Sequence, residues 1–394
     1  MPQHTRRKIF VVLFLAIFLV TLGVGIIAPL LPVYARDLGA SAFLIGLIFG
    51  SFSVTRTLFL PVFGSLSDRY GKRGFLVTGL FLYFVVSLLF AFTTEVVSLV
   101  WIRLGQGFAS AMILPVAQAY IGELSPESKE GRVMGLFNLS LFAGLAAGPL
   151  FGGIVMDLFG IRASFLSMGI LTLIGSFLCL VLLPKEPAKP QEATSSKRTT
   201  YRDFMKNPTV VALTLFRFSF TTCVGIVWAF LPIWAIDQGR LSGSSIGLIV
   251  SLNVAVSGAL MIPMGALADR VSKALLIVLG GFLSVFALLW LSVSASFGSL
   301  MAANGLFGLA GGISLPAIMA AAVIAGRGTQ AMGALMGLLA MAHSAGMFFG
   351  PLVAGYMLDR VPFERAFQLG ALVMLLGTVF FVIVGRRKKV KGHP

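Results

Sequence analysis

The feature that most constrains this chain is a series of long apolar blocks separated by short polar stretches. One block runs from Ile9 to Pro32 and another from Phe75 to Phe92. A membrane-spanning helix needs about 20 consecutive, mostly apolar residues. Charged residues make up only 11% of the 394 residues, against about 25% in a typical soluble domain. A chain so poor in charge cannot cover a water-facing surface, and the blocks predict an all-α integral membrane protein.

Twelve such blocks can be distinguished, and they leave little chain for a soluble domain. The predicted helices cover residues 9–33, 43–66, 74–93, 97–121, 132–156, 163–184, 208–235, 244–267, 273–294, 298–323, 331–357 and 364–385. The first block is too long for the apolar core of a signal peptide, and we interpret it as the first helix. Cys179 and Cys223 lie in apolar segments, which gives neither a disulfide framework nor a metal-ligand spacing.

The Lys and Arg residues are divided unequally between the two sides of the membrane. Assigning the loops to alternate sides places 22 of the 30 Lys and Arg on the side of both termini, five on the other side and three within helices. Loops rich in Lys and Arg are typical of the cytoplasmic side. We therefore expect a multi-pass inner-membrane protein with both termini in the cytoplasm. The net charge of +16 then reflects topology, and no nucleic-acid partner is expected.

A polar stretch from Lys185 to Lys206 lies in the middle of the chain. Its prolines and its Thr-Ser-Ser run are typical of a flexible linker. The sequence predicts an N-terminal six-helix bundle at residues 1–184, a cytoplasmic linker at 185–207 and a C-terminal six-helix bundle at 208–394.

The two halves share landmarks at a nearly constant offset, which indicates an internal repeat. Pro32, Asp37 and Gly39 recur as Pro232, Asp237 and Gly239; Gly64, Asp68, Gly107 and Pro115 recur as Gly265, Asp269, Gly308 and Pro316; and Gly148, Pro149 and Asp157 recur as Gly350, Pro351 and Asp359. A parallel repeat of six helices predicts two bundles related by an axis along the membrane normal. It also predicts a solute site near the membrane midplane and alternating access.

The loop between the second and third predicted helices carries the sequence GSLSDRYGKRG, from Gly64 to Gly74. It resembles motif A of the major facilitator superfamily, and the resemblance extends over essentially the whole chain. The resemblance implies that superfamily's fold and a gating role for this loop, with glycines that allow close helix contact. The implied gating residues are Gly64, Asp68, Arg69, Gly71, Lys72 and Arg73, with Glu123 and Arg132 as partners. The alternative is that the cations only set topology.

The fourth predicted helix carries Arg103, Gln106 and Gly107, which resemble motif B of the same superfamily. Ser110 shares their helical face. The resemblance implies a role for Arg103 in proton coupling, and an ionisable group inside a membrane marks a polar pathway by default. The alternative is a structural arginine that bonds a carbonyl group of the first helix.

The fifth predicted helix carries the sequence from Gly144 to Gly153, which resembles motif C of the drug/proton antiporters within the superfamily. Its motif residues are Gly144, Gly148, Pro149, Gly152 and Gly153. The small residues permit close helix packing, and the proline bends the helix. Simple helix packing is the alternative interpretation.

None of the 14 acidic residues lies in the middle third of a predicted helix. The candidate titratable groups for proton coupling are Asp37 at the outer end of the first helix, Glu123 at the inner end of the fourth, and His343. Of the deep ionisable side chains, only His343 titrates near neutral pH. A lone intramembrane histidine also occurs as a packing or hydrogen-bonding residue.

Several polar side chains inside predicted helices are candidates to line a solute cavity. They are Arg56, Ser110, Gln118, Asn138, Arg217, Asn253, Asn304 and His343. A cavity with more Arg than Asp or Glu should favour anionic, zwitterionic or neutral amphiphiles over cations, provided that the arginines face it. Arg217 could instead extend to the cytoplasmic interface, and each polar residue could bond across a helix interface.

The sequence therefore predicts a secondary active transporter, a proton-coupled exporter of small amphiphilic compounds by alternating access. The alternatives are a carrier of an organic anion or lipid-like metabolite with different coupling, and a membrane sensor that does not transport. The expected partners are a small-molecule substrate, protons and the lipid bilayer, with a monomer as the sufficient unit. No enzymatic activity, cofactor or metal is expected.

Overall fold

The computed structural model describes residues 3–124, 130–184, 206–326 and 332–390, with side chains except at 3–5, 130–132, 332–334 and 385–390. Within these ranges the chain forms thirteen helices and no strand. The helices are α1 Gln3–Asp37, α2 Ala42–Tyr70, α3 Lys72–Phe92, α4 Val96–Ala111, α5 Leu114–Leu124, α6 Glu130–Phe159, α7 Ile161–Leu182, α8 Pro208–Gly239, α9 Gly243–Arg270, α10 Lys273–Val293, α11 Phe297–Gly326, α12 Met332–Leu358 and α13 Glu364–Val390. Almost all of the predicted linker lies outside these ranges.

Twelve helical spans in the described part of the chain are long and apolar enough to cross a membrane, which confirms the predicted number. The fourth predicted helix, 97–121, is wrong as one continuous helix. It is interrupted at Met112 and Ile113, between α4 and α5. Pro115 explains the break, because proline has no N–H to donate to the carbonyl of Ala111 and its ring crowds that carbonyl. The two pieces together form the fourth span, Val96–Leu124.

Several helices extend beyond their predicted apolar ends. α1 reaches Asp37 and α2 reaches Tyr70, whereas the sequence predicts ends at residues 33 and 66. The prediction ends each helix where the apolar block ends. In the structure the helical backbone hydrogen bonds continue past that point, over the polar residues that follow. Left-handed glycines then turn the chain, with φ +89° at both Gly39 and Gly71, a conformation that costs glycine little.

The described helices form two compact units. Unit 1 comprises Met1–Ala40, Ser51–Ala193 and Leu241–Ser251, and unit 2 comprises Ser41–Gly50, Thr194–Arg240 and Leu252–Pro394. These units differ from the predicted continuous halves at two short stretches, the beginnings of α2 and α9. The reason is close packing: an added Cβ at Gly247 of α9 would overlap the Pro149 carbonyl group of α6, within unit 1, and one at Gly46 of α2 would overlap the Pro351 carbonyl group of α12, within unit 2.

In unit 1, α1 packs against α6 and α7, and α3 packs against α7 and α4. The largest side chains in its core include Tyr83, Tyr120, Phe137 and Phe165, all almost fully buried. Apolar residues on every face of these helices match helices that contact neighbours on one side and lipid on the other.

Unit 2 repeats this arrangement with the equivalent helices. α8 packs against α12 and α13, and α10 packs against α13 and α11. The core includes Phe216, Phe230, Phe307 and Phe367. The equivalent pairing of helices in the two units agrees with the internal repeat read from the sequence.

The repeat extends to single contacts. An added Cβ at Gly144 would overlap the Thr21 hydroxyl oxygen in unit 1, and one at Gly346 would overlap the Thr221 hydroxyl oxygen in unit 2. In each unit a glycine lets the first helix of the repeat approach the fifth at backbone distance, as in small-residue membrane interfaces.

Candidate functional site

The motif A residues lie at the junction of α2 and α3, where Gly71 makes the turn. Lys72, the first residue of α3, is only 3% exposed. Its ammonium group lies 2.9 Å from a carboxylate oxygen of Glu123 on α5 and 3.6 Å from one of Asp68 on α2. One buried cation thus joins the ends of three helices.

The other motif A residues are placed differently. Arg73 donates a hydrogen bond to the carbonyl oxygen of Leu180 at the end of α7, and the Arg69 guanidinium carbon lies 5.2 Å from the centre of the Tyr70 ring. A Cβ at Gly64 would meet nothing within 4 Å, so the described residues make no close helix contact at this glycine. Arg132 lies in α6, and its side chain is outside the described part.

The motif B residues form a buried polar group on α4. The Arg103 side chain donates a hydrogen bond from Nη1 to Gln106 Oε1 at 2.7 Å, and both residues are buried, at 6% and 1% exposure. The Arg103 guanidinium carbon lies 4.9 Å from the centre of the Phe52 ring on α2, and that of Arg56 lies 5.8 Å from the same centre. Two cations therefore lie within 6 Å of the centre of one aromatic ring.

Gly107 explains how α4 brings Arg103 to this ring. An added Cβ at Gly107 would overlap the Thr55 hydroxyl oxygen and the Phe52 carbonyl oxygen, so α2 and α4 cross here at backbone distance. The Thr55 hydroxyl donates to the Leu104 carbonyl oxygen at 2.7 Å and fixes the crossing. Glycine at this position is therefore needed for contact and not for backbone conformation.

Tyr83 of α3 completes the polar group in unit 1. Its hydroxyl lies near Ser110 and near both guanidinium groups. Arg56 and Ser110 from the predicted cavity set are thus brought together with Arg103 of motif B, and Tyr83 is a member that the sequence reasoning missed. Tyr83 lies on α3 and matches none of the recognised motifs, so nothing in the sequence gave a reason to select it.

The equivalent positions in unit 2 hold a neutral pair. Asn253 and Asn304 stand 201 residues after Phe52 and Arg103. Asn253 donates to the Asn304 backbone carbonyl at 2.8 Å and to its side-chain oxygen at 3.3 Å, and both residues are buried. These two cavity candidates bond each other across α9 and α11, which was the alternative left open for them.

The motif C glycines lie along α6. Cβ atoms at Gly144 and Gly148 would overlap backbone atoms of α1, a Cβ at Gly152 would press on Ile26 of α1, and one at Gly153 would overlap the Gly243 carbonyl group at the start of α9. Pro149 lies inside α6 without ending it. Motif C is thus a two-sided packing surface within unit 1.

Asp157 and Asp359 have a role that the sequence reasoning missed. The two carboxylate oxygens of Asp157 accept hydrogen bonds from the backbone N–H groups of Gly243 and Ser244, each at 2.8 Å. Asp359 accepts from the N–H groups of Ala42 and Phe43 at 2.8 and 3.3 Å. Each carboxylate caps a helix N-terminus, where a negative charge is favourable. Their recurrence in the repeat was the available signal.

His343 and Arg217 meet inside unit 2. A terminal guanidinium nitrogen of Arg217 on α8 lies 3.3 Å from His343 Nδ1 on α12. Since arginine can only donate, this contact is a hydrogen bond when the imidazole is neutral with its proton on Nε2, so that Nδ1 accepts. Arg217 therefore contacts a side chain of a neighbouring helix in unit 2 and does not simply extend to the cytoplasmic interface. The sequence could not show this, because it does not fix which face of a helix meets its neighbour.

The remaining candidates make no hydrogen bond or ion pair with these groups among the described side chains. Asp37 is the last residue of α1 and is exposed, Asn138 is exposed on α6, and Gln118 on α5 is half-buried. Gln118 and Asn138 have no hydrogen-bond partner among the residues with described side chains.

The described chain has twelve spans in two repeated units. It carries charges at a helix junction and ionisable side chains inside the bundles. This is the architecture of a secondary transporter. The sequence model of the Major Facilitator Superfamily matches residues 13–240 and 213–394. The chain belongs to this superfamily.

Known relatives agree with this assignment. The chain is 31% identical over 385 residues to an uncharacterized MFS-type transporter of Methanocaldococcus jannaschii, covering 96% of this chain and 97% of the relative. It is 29% identical over 314 residues, 77% of each chain, to the multi-drug resistance efflux pump PmrA of Streptococcus pneumoniae. A solved bacterial homologue of the human lysosomal transporter Spinster, inward-facing and occupied, matches with a TM-score of 0.84 over 98% of each chain at 14% identity, which shows the shared fold.

Proposed function

We propose that this transporter is a proton-coupled exporter of small amphiphilic compounds. It would act as a monomer in the inner membrane with both termini in the cytoplasm, in agreement with the Lys and Arg distribution. The similarity to a multi-drug efflux pump and the resemblance of the α6 glycines to the antiporter motif support export.

The His343–Arg217 pair is the observation that carries the proposal of proton coupling. In the described spans no Asp or Glu lies in the middle third, and His343 is the only histidine. An exchanger needs a group that gains and loses a proton near physiological pH, and histidine is the side chain suited to this. His343 supplies that group.

The geometry of the pair suggests how protonation is transmitted. While Nδ1 accepts from Arg217 at 3.3 Å, α8 and α12 are joined at this point. A proton on Nδ1 removes the acceptor and places two cations side by side, so the pair separates. Protonation of one side chain thus changes the contact between two helices.

Around His343, other than Arg217, the described residues of α8, α11 and α13 offer no Asp, Glu, His, Lys or Arg near the middle of the span. Apart from Arg217, α8 contributes Cys223, whose thiol contacts the Gly370 carbonyl oxygen. The described part of α11 carries no titratable side chain, and those of α13 with described positions, Glu364 and Arg365, lie at its first turn.

The Lys72 junction is proposed as the gate. Breaking its contacts with Glu123 and Asp68 would release α2, α3 and α5 from one another. This assignment gives the motif A charges a task in addition to topology.

The test uses everted membrane vesicles that hold a proton gradient, followed with a pH-sensitive dye. Amphiphilic cations, anions and zwitterions are added in turn to vesicles with the wild-type chain. We expect at least one class to dissipate the gradient, and we expect His343→Gln to lower the initial rate at least about tenfold. His4→Gln is the matched control. A full response of the His343→Gln vesicles would remove His343 from the proposal, and silence of the wild type towards every class would remove proton coupling.

A further inference from the structure

We propose that Arg56, Arg103 and Gln106 form the binding site for the anionic group of the transported amphiphile, so that its substrates are organic anions. This inference rests on the proposed export function and names its substrate class. All three residues lie in unit 1, on α2 and α4.

The Gln106 amide nitrogen is a hydrogen-bond donor that no described residue of the site accepts from. Gln106 is 1% exposed, and its carbonyl oxygen accepts from Arg103. Its amide nitrogen has no hydrogen-bond partner among the described residues. A buried amide group without an acceptor is costly. An oxygen of a bound carboxylate, sulfonate or phosphate would supply the acceptor.

The positive charge of the site also favours an anionic ligand. Arg56 contacts the Phe52 ring but makes no hydrogen bond or ion pair with any described residue, and the Arg103 guanidinium group lies near the same ring. A charge inside a membrane protein is expensive unless it is paired. For Arg56 the cation–π contact offsets only part of that cost, so an anion beside its guanidinium group would be favoured.

The neighbouring surface fits an apolar or aromatic body. Phe52, Arg56, Phe59 and Phe63 share one face of α2 because they are spaced by three or four residues. The Phe59 ring lies 4.8 Å from the Phe108 ring and 5.7 Å from the Phe63 ring, centre to centre. Phe59 is only half-buried, so an aromatic surface is available next to the cationic end. A ligand with an anionic group and an aryl body matches both parts.

Unit 2 offers no such site at the equivalent positions. Asn253 and Asn304 replace Phe52 and Arg103 there and bond each other, and Ser257 stands where Arg56 stands in unit 1. The anion site is therefore a feature of unit 1 alone, and it can be tested by changing that unit.

The test is equilibrium binding to the purified full-length protein without a proton gradient. The probes are radiolabelled naphthalene-2-sulfonate, the trimethylammonium analogue of the same ring, and naphthalene-2-methanol. The wild type should bind the sulfonate at least about tenfold more tightly than the cation. Arg56→Gln should weaken sulfonate binding at least about tenfold, because a charge-assisted hydrogen bond is lost, while Arg56→Lys should remain closer to the wild type.

Arg162→Gln is the control, since it removes an exposed arginine at the start of α7 and should leave binding unchanged. Arg103→Gln should also weaken sulfonate binding. If the Arg103→Gln protein folds poorly, the result with Arg56→Gln still decides the test. Tighter binding of the cation, no sulfonate binding, or unchanged affinity in Arg56→Gln would overturn the inference. Sulfonate binding by the wild type without any response in the vesicle assay would reject proton coupling and keep the anion site.

Discussion

At the scale of single residues, the main result is which ionisable side chains meet. The resemblance to motif A already associated Glu123 with the charged loop, and the structure places it 2.9 Å from Lys72. The partners of Arg56, Arg103 and Arg217 could not be derived from the sequence, because a composition without deep carboxylates does not say which helix faces they occupy. Three-dimensional packing decides that Arg103 meets Gln106 and Arg217 meets His343.

The Lys72–Glu123 pair yields a stability prediction. Glu123→Gln should lower the free energy of unfolding by about 1–3 kcal/mol, because it leaves the buried Lys72 ammonium with a weaker acceptor. Thermal unfolding of the purified protein in detergent measures the change. Glu95→Gln, at an exposed position, is the control. Restoration of stability in Lys72→Met/Glu123→Gln would support a direct pair, whereas additive losses would contradict it.

At the scale of helices, the apolar blocks predict every span but not its details. Pro115 favours the break in the fourth span, yet Pro316, its counterpart in the repeat, lies inside the continuous helix α11. Proline alone therefore does not determine a break. Likewise, the glycines of α6 were recognisable as a motif, but only the structure shows that Gly144 meets α1 and Gly153 meets α9.

Close packing at Gly144 leads to the next prediction. Gly144→Ala should destabilise the protein by about 1–3 kcal/mol, because the added methyl group forces α1 and α6 apart. Gly135→Ala on the same helix is a matched control, since a Cβ there meets nothing within 4 Å. Both variants can be compared by thermal unfolding in detergent. Equal stability of the two would contradict the close α1–α6 contact.

Helix capping gives a further prediction at this scale. Asp157→Asn keeps only one of two carboxylate acceptors at the N-terminus of α9 and removes the favourable charge. It should cost about 0.5–2 kcal/mol of stability, and Asp359→Asn should cost a similar amount at α2. Asp269→Asn, at an exposed position, should change the unfolding temperature little. The cap assignment fails if Asp157→Asn and Asp269→Asn behave alike.

At the scale of the whole molecule, the internal repeat was the most informative sequence signal. It predicts two units with the same helix pairing, and the structure has them. It did not predict that the beginnings of α2 and α9 belong to the opposite unit, because a sequence offset carries no information on which bundle a helix end contacts. The repeat also does not reveal the difference between the units, cationic around Phe52 and neutral around Asn253.

The predicted orientation can be tested by cysteine labelling. Cys179 and Cys223 are fully buried, so the wild type should react little with a membrane-impermeant maleimide. Gln238→Cys, at an exposed position near the end of α8, should be labelled in intact cells. Ser196→Cys in the predicted linker should be labelled only after permeabilisation. The reverse pattern would place both termini outside the cytoplasm.

The central claim is proton-driven export of an organic anion, and uptake into everted vesicles tests it most directly. Naphthalene-2-sulfonate is followed while the vesicle interior is kept acidic and the membrane potential is clamped with valinomycin and potassium. Proton-driven export predicts accumulation above the external concentration, which should be lost on adding a protonophore and strongly reduced in His343→Gln and Arg56→Gln. Uptake that only equilibrates, or that is the same with and without the pH gradient, would contradict it.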